Sequence, residues 1–89
     1  MTNEKATINM NEYGALVSWS YNVGCGAAKS STVVERLNNG EDPNVVLPSE
    51  LRQWDKSDGQ VLPGLLRRRN AEIALAQTPT SDPALPVKC

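Results

Sequence analysis

Tyr13, Ala15, Leu16, Val17, Trp19, Tyr21 and Val23 follow one another with few polar interruptions. Wound as a helix, they cover most of its circumference, and a helix apolar on most sides belongs in the middle of its domain. The spacing predicts this helix over residues 10–22. Asn9 stands as N-cap with Glu12 three residues on, a capping box in which each side chain satisfies an orphan N–H of the other's backbone. Ile8 and Tyr13 occupy the hydrophobic-staple positions. Gly24 ends the helix, since glycine enters the left-handed C-terminal conformation without a Cβ penalty.

Polar punctuation divides the rest. Residues 25–30 are small and read as a tight connection of about one helical turn. Ser31 or Thr32 caps a helix over 32–38, with Glu35 as a second capping-box candidate and Val33, Val34 and Leu37 as its buried face. Asn38-Asn39-Gly40 stops it. Asp42 and Pro43 restart helix as N-cap and first residue. Pro48 inside that helix would remove a hydrogen bond and clash with the preceding turn, at about 3 kcal/mol. A break is therefore expected there, with a new turn from Ser49 carrying Glu50, Leu51 and Trp54. Residues 55–60 read as a polar loop. Pro63 opens a last helix over 63–76, with Leu62, Leu65, Leu66, Arg69, Ile73 and Ala76 near one face. Arg68 and Glu72 are spaced as an i, i+4 pair. The chain thus reads as all-α: residues 1–7 frayed, 8–76 a helical lobe, and 77–89 an extended tail with Pro79, Pro83 and Pro86.

Composition narrows the chemistry. At 89 residues the chain is one domain at most. It has no Phe and only two Trp and two Tyr, so core volume must come from aliphatic residues. A net charge of -1 supplies no basic field to attract nucleic acid or an anionic membrane, although Arg67, Arg68 and Arg69 are adjacent. No stretch reaches the roughly 20 apolar residues of a membrane span. Histidine is absent, which removes the commonest general base and metal ligand. Cys25 has no histidine partner for nucleophilic catalysis, and two cysteines without a ligand motif make no zinc site. VGCGAAKSST lacks the Gly-Lys-Ser/Thr order of a phosphate loop. No metal or cofactor is expected. Among the carboxylates, Glu12, Glu35 and Asp42 are taken up as caps and Glu72 by arginine. Glu4, Asp55, Asp58 and Asp82 lack apolar neighbours, and Glu41 and Glu50 fall in no recognisable catalytic context.

Two segments carry a resemblance. YGALVSWSYNVGCGAAKSST (13–32) and GQVLPGLLRRRNAEI (59–73) resemble the two hallmark blocks of phage-type lysozymes (muramidases), in that family's order and at about its spacing. The likeness runs from about Ile8 to Cys89. NVGCG and the ending ALPVKC resemble the secreted fungal branch most closely. The resemblance implies a small orthogonal helical cluster, the family's C-terminal lobe. The family's catalytic glutamate, with its Asp and Thr partners, sits in an N-terminal half outside this chain, so no catalytic residue is expected here. The implied function is binding of the peptidoglycan glycan strand, with hydrolysis dependent on an N-terminal half, upstream or separate. Met1 then reads as an internal methionine of a longer parent, the alternative being the start of a cytosolic protein.

Tyr21 and Asn22 match the family's FN position and Ser31 and Thr32 its hydroxyl pair, which implies that these four residues face the sugar. An amide such as Asn22 both donates to and accepts from sugar groups, though it also reads as a plain helix C-cap. The Tyr21 ring is expected to pack in the core, as are Trp19 and Trp54. Arg67–Arg69 read either as contacts for anionic wall polymers or as a solvated helix face, with the Arg69 stem partly covering the core. A secreted relative with an even cysteine pair suggests a Cys25–Cys89 disulfide closing about 65 residues, while further upstream cysteines in full-length relatives leave the pairing open. An extracellular location follows from the same resemblance. The alternative function is a stand-alone helical antimicrobial or effector protein, self-associating through an apolar seam exposed where a partner lobe would pack.

Overall fold

The structure, a computed structural model, describes residues 2, 6–54, 56–57, 60–84 and 87, the backbone alone at 56–57 and 60–61. It is all-α in architecture. Helices α1 (Met10–Val23), α2 (Cys25–Lys29), α3 (Thr32–Asn38), α4 (Pro43–Leu51) and α5 (Pro63–Ala76) are joined by short connections, with a 3-10 turn at Arg52–Trp54. In the expected polar loop, β1 (Lys56–Ser57) and β2 (Gln60–Val61) form a two-residue antiparallel ladder, Lys56 opposite Val61 and Ser57 opposite Gln60.

α1 packs along α5, and α3 along α4. The capping box of α1 forms as the residue types dictate. Asn9 Oδ1 accepts from Glu12 N–H at 2.8 Å and Asn9 N–H donates to Glu12 Oε1 at 2.8 Å. The buried stripe is Glu12, Ala15, Leu16, Trp19 and Ser20. Val17 and Tyr21 lie on the far side of the helix, roughly 150° around at 100° per residue. This corrects the expectation for Tyr21, whose ring is not in the core but 89% exposed. Trp19 is fully buried, and half-buried Trp54 meets it edge-on with ring centroids 5.5 Å apart. Gly24 ends α1 at φ +93°, which L side chains rarely adopt, but with ψ at 142° the chain leaves extended rather than curling left-handed.

Ser31, not Thr32, caps α3, its Oγ accepting from Val34 N–H at 3.3 Å, so the Thr32–Glu35 capping box does not form. Val33, Val34 and Leu37 are buried as expected. The break at Pro48 does not occur. α4 runs through it to Leu51. Val46, Leu47 and Leu51 are fully buried, each burial contributing about 1.5–3 kcal/mol, which outweighs the cost of the proline. Ser49 Oγ, in the same stretch, donates to the carbonyls of Val45 and Val46 at 2.9 and 3.2 Å.

On α5 the expected apolar face is only half covered. Ile73 and Ala76 are buried, whereas Leu62 and Leu66 are exposed. Glu72 pairs with Arg69 rather than Arg68. The last described residues run back along the beginning of the chain. Asn9 bridges to Pro83, Met10 N–H donates to Asp82 O at 3.0 Å, and Ala84 N–H donates to Ile8 O at 3.2 Å. Val87 is buried in the core. Its N–H donates to Thr2 Oγ1 at 2.7 Å and its carbonyl accepts from Thr2 N–H at 3.2 Å. Thr2, in the segment expected to be frayed, is therefore buried and held.

Candidate functional site

The four residues matched to the sugar cleft do not share one environment. Tyr21 and Asn22 are exposed on the last turn of α1. Asn22 lies inside the helix, with Gly24 as the cap, and its amide has no hydrogen-bond partner among the described residues. Ser31 is buried, and its hydroxyl is consumed locally, donating to Ala28 O at 2.6 Å while capping α3. Thr32 is exposed and opens into a concavity of about 240 Å³ that it lines with Glu50, Gln53 and Trp54. Neither Tyr21 nor Asn22 lines this pocket.

Arg36 organises the pocket's edge. Its Nη1 donates to Glu50 Oε1 at 3.0 Å and to Ser49 Oγ at 3.3 Å, and its Nε donates to Glu41 Oε1 at 2.9 Å. Glu41, then Glu50, raises the Arg36 pKa above its ordinary value, so this charge is permanent. Glu50 and Trp54 were legible only as members of a separate turn after a broken helix. Continuation of α4 through Pro48 places them beside Thr32. No local signal links Arg36 with Glu50, fourteen positions away.

A larger concavity, about 580 Å³, lies between α1 and α5, lined among others by Ser18, Gly64, Arg67, Arg68, Glu72 and Leu75. Arg67 and Arg68 are exposed, and neither forms an ion pair among the described residues. Arg69 turns inward and is fully buried. Ser18 Oγ donates to Glu72 Oε2 at 2.5 Å, and Arg69 Nη2 donates to the same oxygen at 3.1 Å. Arg69 Nε lies 2.7 Å from Glu72 Oε1 but out of line for a hydrogen bond, so that contact is charge against charge. Burial raises the Glu72 pKa, and burial likewise lowers that of Arg69; Ser18 and Arg69 pull Glu72 the other way. A buried carboxyl with a raised pKa beside a cleft has the profile of a general acid. Here both oxygens are engaged and the side chain is 4% exposed, so the group ties α5 to α1 instead of meeting a substrate.

The remaining described carboxylates are equally committed or lack a partner. Glu12 and Asp42 cap helices, Glu41 and Glu50 share Arg36, and Glu35 and Asp82 are exposed. Glu4, Asp55 and Asp58 lie outside the described residues. Among the described residues no group of His, Cys, Asp and Glu could hold a metal ion, and no helix is long and apolar enough to cross a membrane. Cys25 is not a free thiol. The expected pairing with Cys89 falls on a residue outside those described.

Fold and site together define a small all-α lobe with exposed amide and aromatic groups at the end of its central helix and a polar pocket across α3 and α4. The phage lysozyme profile matches residues 1–72, and the chain belongs to that family. It is 42% identical over 76 residues to the endolysin of Bacillus phage PZA, covering 85% of this chain and 29% of that protein. To the endolysin of Bacillus phage B103 it is 42% identical over 74 residues, 83% of this chain and 27% of the relative. To that of Acyrthosiphon pisum secondary endosymbiont phage 1 it is 35% identical over 81 residues, 86% of this chain and 54% of the relative. The chain thus spans between about a quarter and a half of the length of these relatives.

Proposed function

We propose that this chain is the cleft-facing C-terminal lobe of a peptidoglycan-lytic muramidase, binding the glycan strand and hydrolysing it only together with an N-terminal half. The match to the phage lysozyme family over residues 1–72 carries this reading. The disposition of the carboxylates supports the second part, because glycoside hydrolysis requires an acid with access to the scissile bond. Tyr21, Asn22 and Thr32 offer exposed groups to the glycan, while Ser31 acts through the cap that orients Thr32. The three relatives are phage endolysins, so the likeness to a secreted fungal branch rests on NVGCG and ALPVKC alone. An extracellular site of action and a Cys25–Cys89 disulfide belong to the same proposal.

The test is co-sedimentation with insoluble Gram-positive cell walls alongside turbidity of the same suspension. The chain is expected to pellet with the walls, less so as Asn22→Ala, and to leave turbidity unchanged. Clearing of the walls by the purified chain would remove the dependence on an N-terminal half. A chain that stays in the supernatant would remove the glycan reading.

Exposed Val17, Leu66 and Leu75 favour a covering partner on the same lobe. The N-terminal half is that partner in this reading, and self-association of the isolated chain is the alternative. Sedimentation velocity separates them, since self-association would give a concentration-dependent dimer.

A further inference from the structure

We propose that Asn39 is a site of spontaneous covalent modification. It closes a succinimide with Gly40 and opens to aspartate or isoaspartate, at a rate set by the cap that ends α3. Asn39 is the only asparagine of the chain followed by glycine. A side chain on the following residue would crowd the attacking backbone nitrogen, and glycine has none. Both residues are exposed, and the Asn39 amide has no hydrogen-bond partner among the described residues. The step needs only water. The Gly40 backbone nitrogen attacks Asn39 Cγ and gives its proton to solvent. The Cγ–Nδ2 bond breaks, and the nitrogen leaves as ammonia. Water then opens the ring. Attack at the side-chain carbonyl gives aspartate, and attack at the backbone carbonyl gives isoaspartate.

The folded geometry holds this attack back. α3 ends in a Schellman motif, with Glu41 N–H donating to Arg36 O at 3.2 Å, Gly40 N–H donating to Leu37 O at 3.0 Å, and Gly40 at φ +84°. Asn39 has ψ 0°, which turns the Gly40 nitrogen away from the Asn39 side chain. Ring closure requires roughly a third of a turn about the Asn39 Cα–C bond, and that rotation pulls Gly40 N–H off Leu37. The nitrogen is therefore free to attack only when the cap opens. Arg36 holds the cap in two ways. Its carbonyl accepts from Glu41 N–H, and its Nε donates to Glu41 Oε1 at 2.9 Å. The same guanidinium reaches Glu50 on α4 at 3.0 Å, which anchors the cap to a second helix. The product changes the lobe. A carboxylate at this position stands at the negative end of the α3 dipole, close to Glu41 and Asp42. Isoaspartate also lengthens the backbone inside the cap by one methylene. The modified chain is expected to melt lower than the fresh one.

The test follows the 89-residue chain by mass spectrometry during incubation at mildly alkaline pH, in buffer and in concentrated urea. The tryptic peptide 37–52 locates the change, and enzymatic methyl transfer detects isoaspartate. Asn39 is expected to convert ahead of every other asparagine, and about tenfold faster in urea, where the cap is gone. Glu41→Ala removes one anchor of the cap from an exposed position. It is expected to speed conversion about threefold in buffer, the worth of one exposed ion pair, and to change nothing in urea. Asn39→Gln is expected to abolish the conversion, because its longer side chain closes a less favourable ring. Conversion at another asparagine first, or without isoaspartate, would overturn the site. Equal rates in buffer and urea, or in Glu41→Ala and the wild type in buffer, would overturn the gating by the cap. The first of these comparisons needs no variant, so it holds even if Glu41→Ala fails to fold.

Discussion

Removing the Glu72 carboxylate leaves Arg69 in the core without an opposite charge, at a position with no exposure to water. Loss of one partner of a buried pair costs about 3–5 kcal/mol, so Glu72→Ala is expected to lower the urea midpoint steeply. Joint replacement by Arg69→Met and Glu72→Leu is expected to cost far less, because no charge is then stranded. The pH dependence runs opposite to that of an exposed ion pair. Burial holds the Glu72 and Glu12 pKa values above the ordinary 4.5, so the folded chain keeps these protons more tightly than the unfolded one. Their contribution is complete below pH 4.5 and is lost as pH rises through the raised folded values. The melting temperature of the wild type, measured against Glu72→Gln, is expected to gain ground as pH falls from about 7 to about 4.5. A gap that narrows on acidification would mean that the Arg69 charge outweighs burial. The sequence allowed Glu72 to reach either Arg68 or Arg69, at four or three residues. Which arginine turns inward depends on where α1 lies, and only the packed molecule shows that.

At the scale of elements, the starts of α1, α4 and α5 were legible because caps are local chemistry. Asn9 with Glu12, Asp42 with Pro43, and Pro63 after an extended residue act within one turn. Gly24 is equally local. A Cβ at this position would meet nothing within 4 Å, so Gly24→Ala is opposed by the positive φ alone. A loss of about 1–2 kcal/mol in chemical denaturation is expected. Pro48 is where local reasoning failed. Its cost is real, but three buried aliphatic side chains on α4 overrule it. Pro48→Ala should return most of about 3 kcal/mol, less about 0.4–1 kcal/mol for the freer unfolded chain. The expected gain of about 2 kcal/mol would appear as a higher urea midpoint. No gain would mean that the preceding turn has already relaxed around the ring.

At the scale of the molecule, Thr2 and Val87, far apart in sequence, meet at the core. Val87 is 1% exposed and bound to Thr2 through both backbone groups. Val87→Ala therefore removes buried surface worth up to about 1.5–3 kcal/mol, a destabilisation readable in a thermal melt. If Cys25 pairs with Cys89 as proposed, reduction frees the same end and costs roughly 4 kcal/mol by loop-closure entropy. A melting temperature unaffected by reductant would argue against that pairing. The proposed self-association belongs to this scale too, because exposed Leu75 of α5 lines the same groove as Arg67 and Arg68.

Sequence alone determined the all-α class, the helix starts, the buried face of α3 and the family, since each is written in runs of neighbouring residues. Of the four residues matched to the family's sugar-facing positions, Tyr21, Asn22 and Thr32 are exposed and Ser31 is buried, so the core position expected for the Tyr21 ring is not the one it takes. Tertiary structure alone decided what joins distant parts of the chain. Arg36 meets Glu50 across 14 positions, Ser18 meets Glu72 across 54, and Thr2 meets Val87 across 85. Helical periodicity specifies which residues share a face, but not which face a neighbour will cover. The pocket, the inward turn of Arg69 and the exposure of Tyr21 all follow from that choice, which is made by packing the helices against one another.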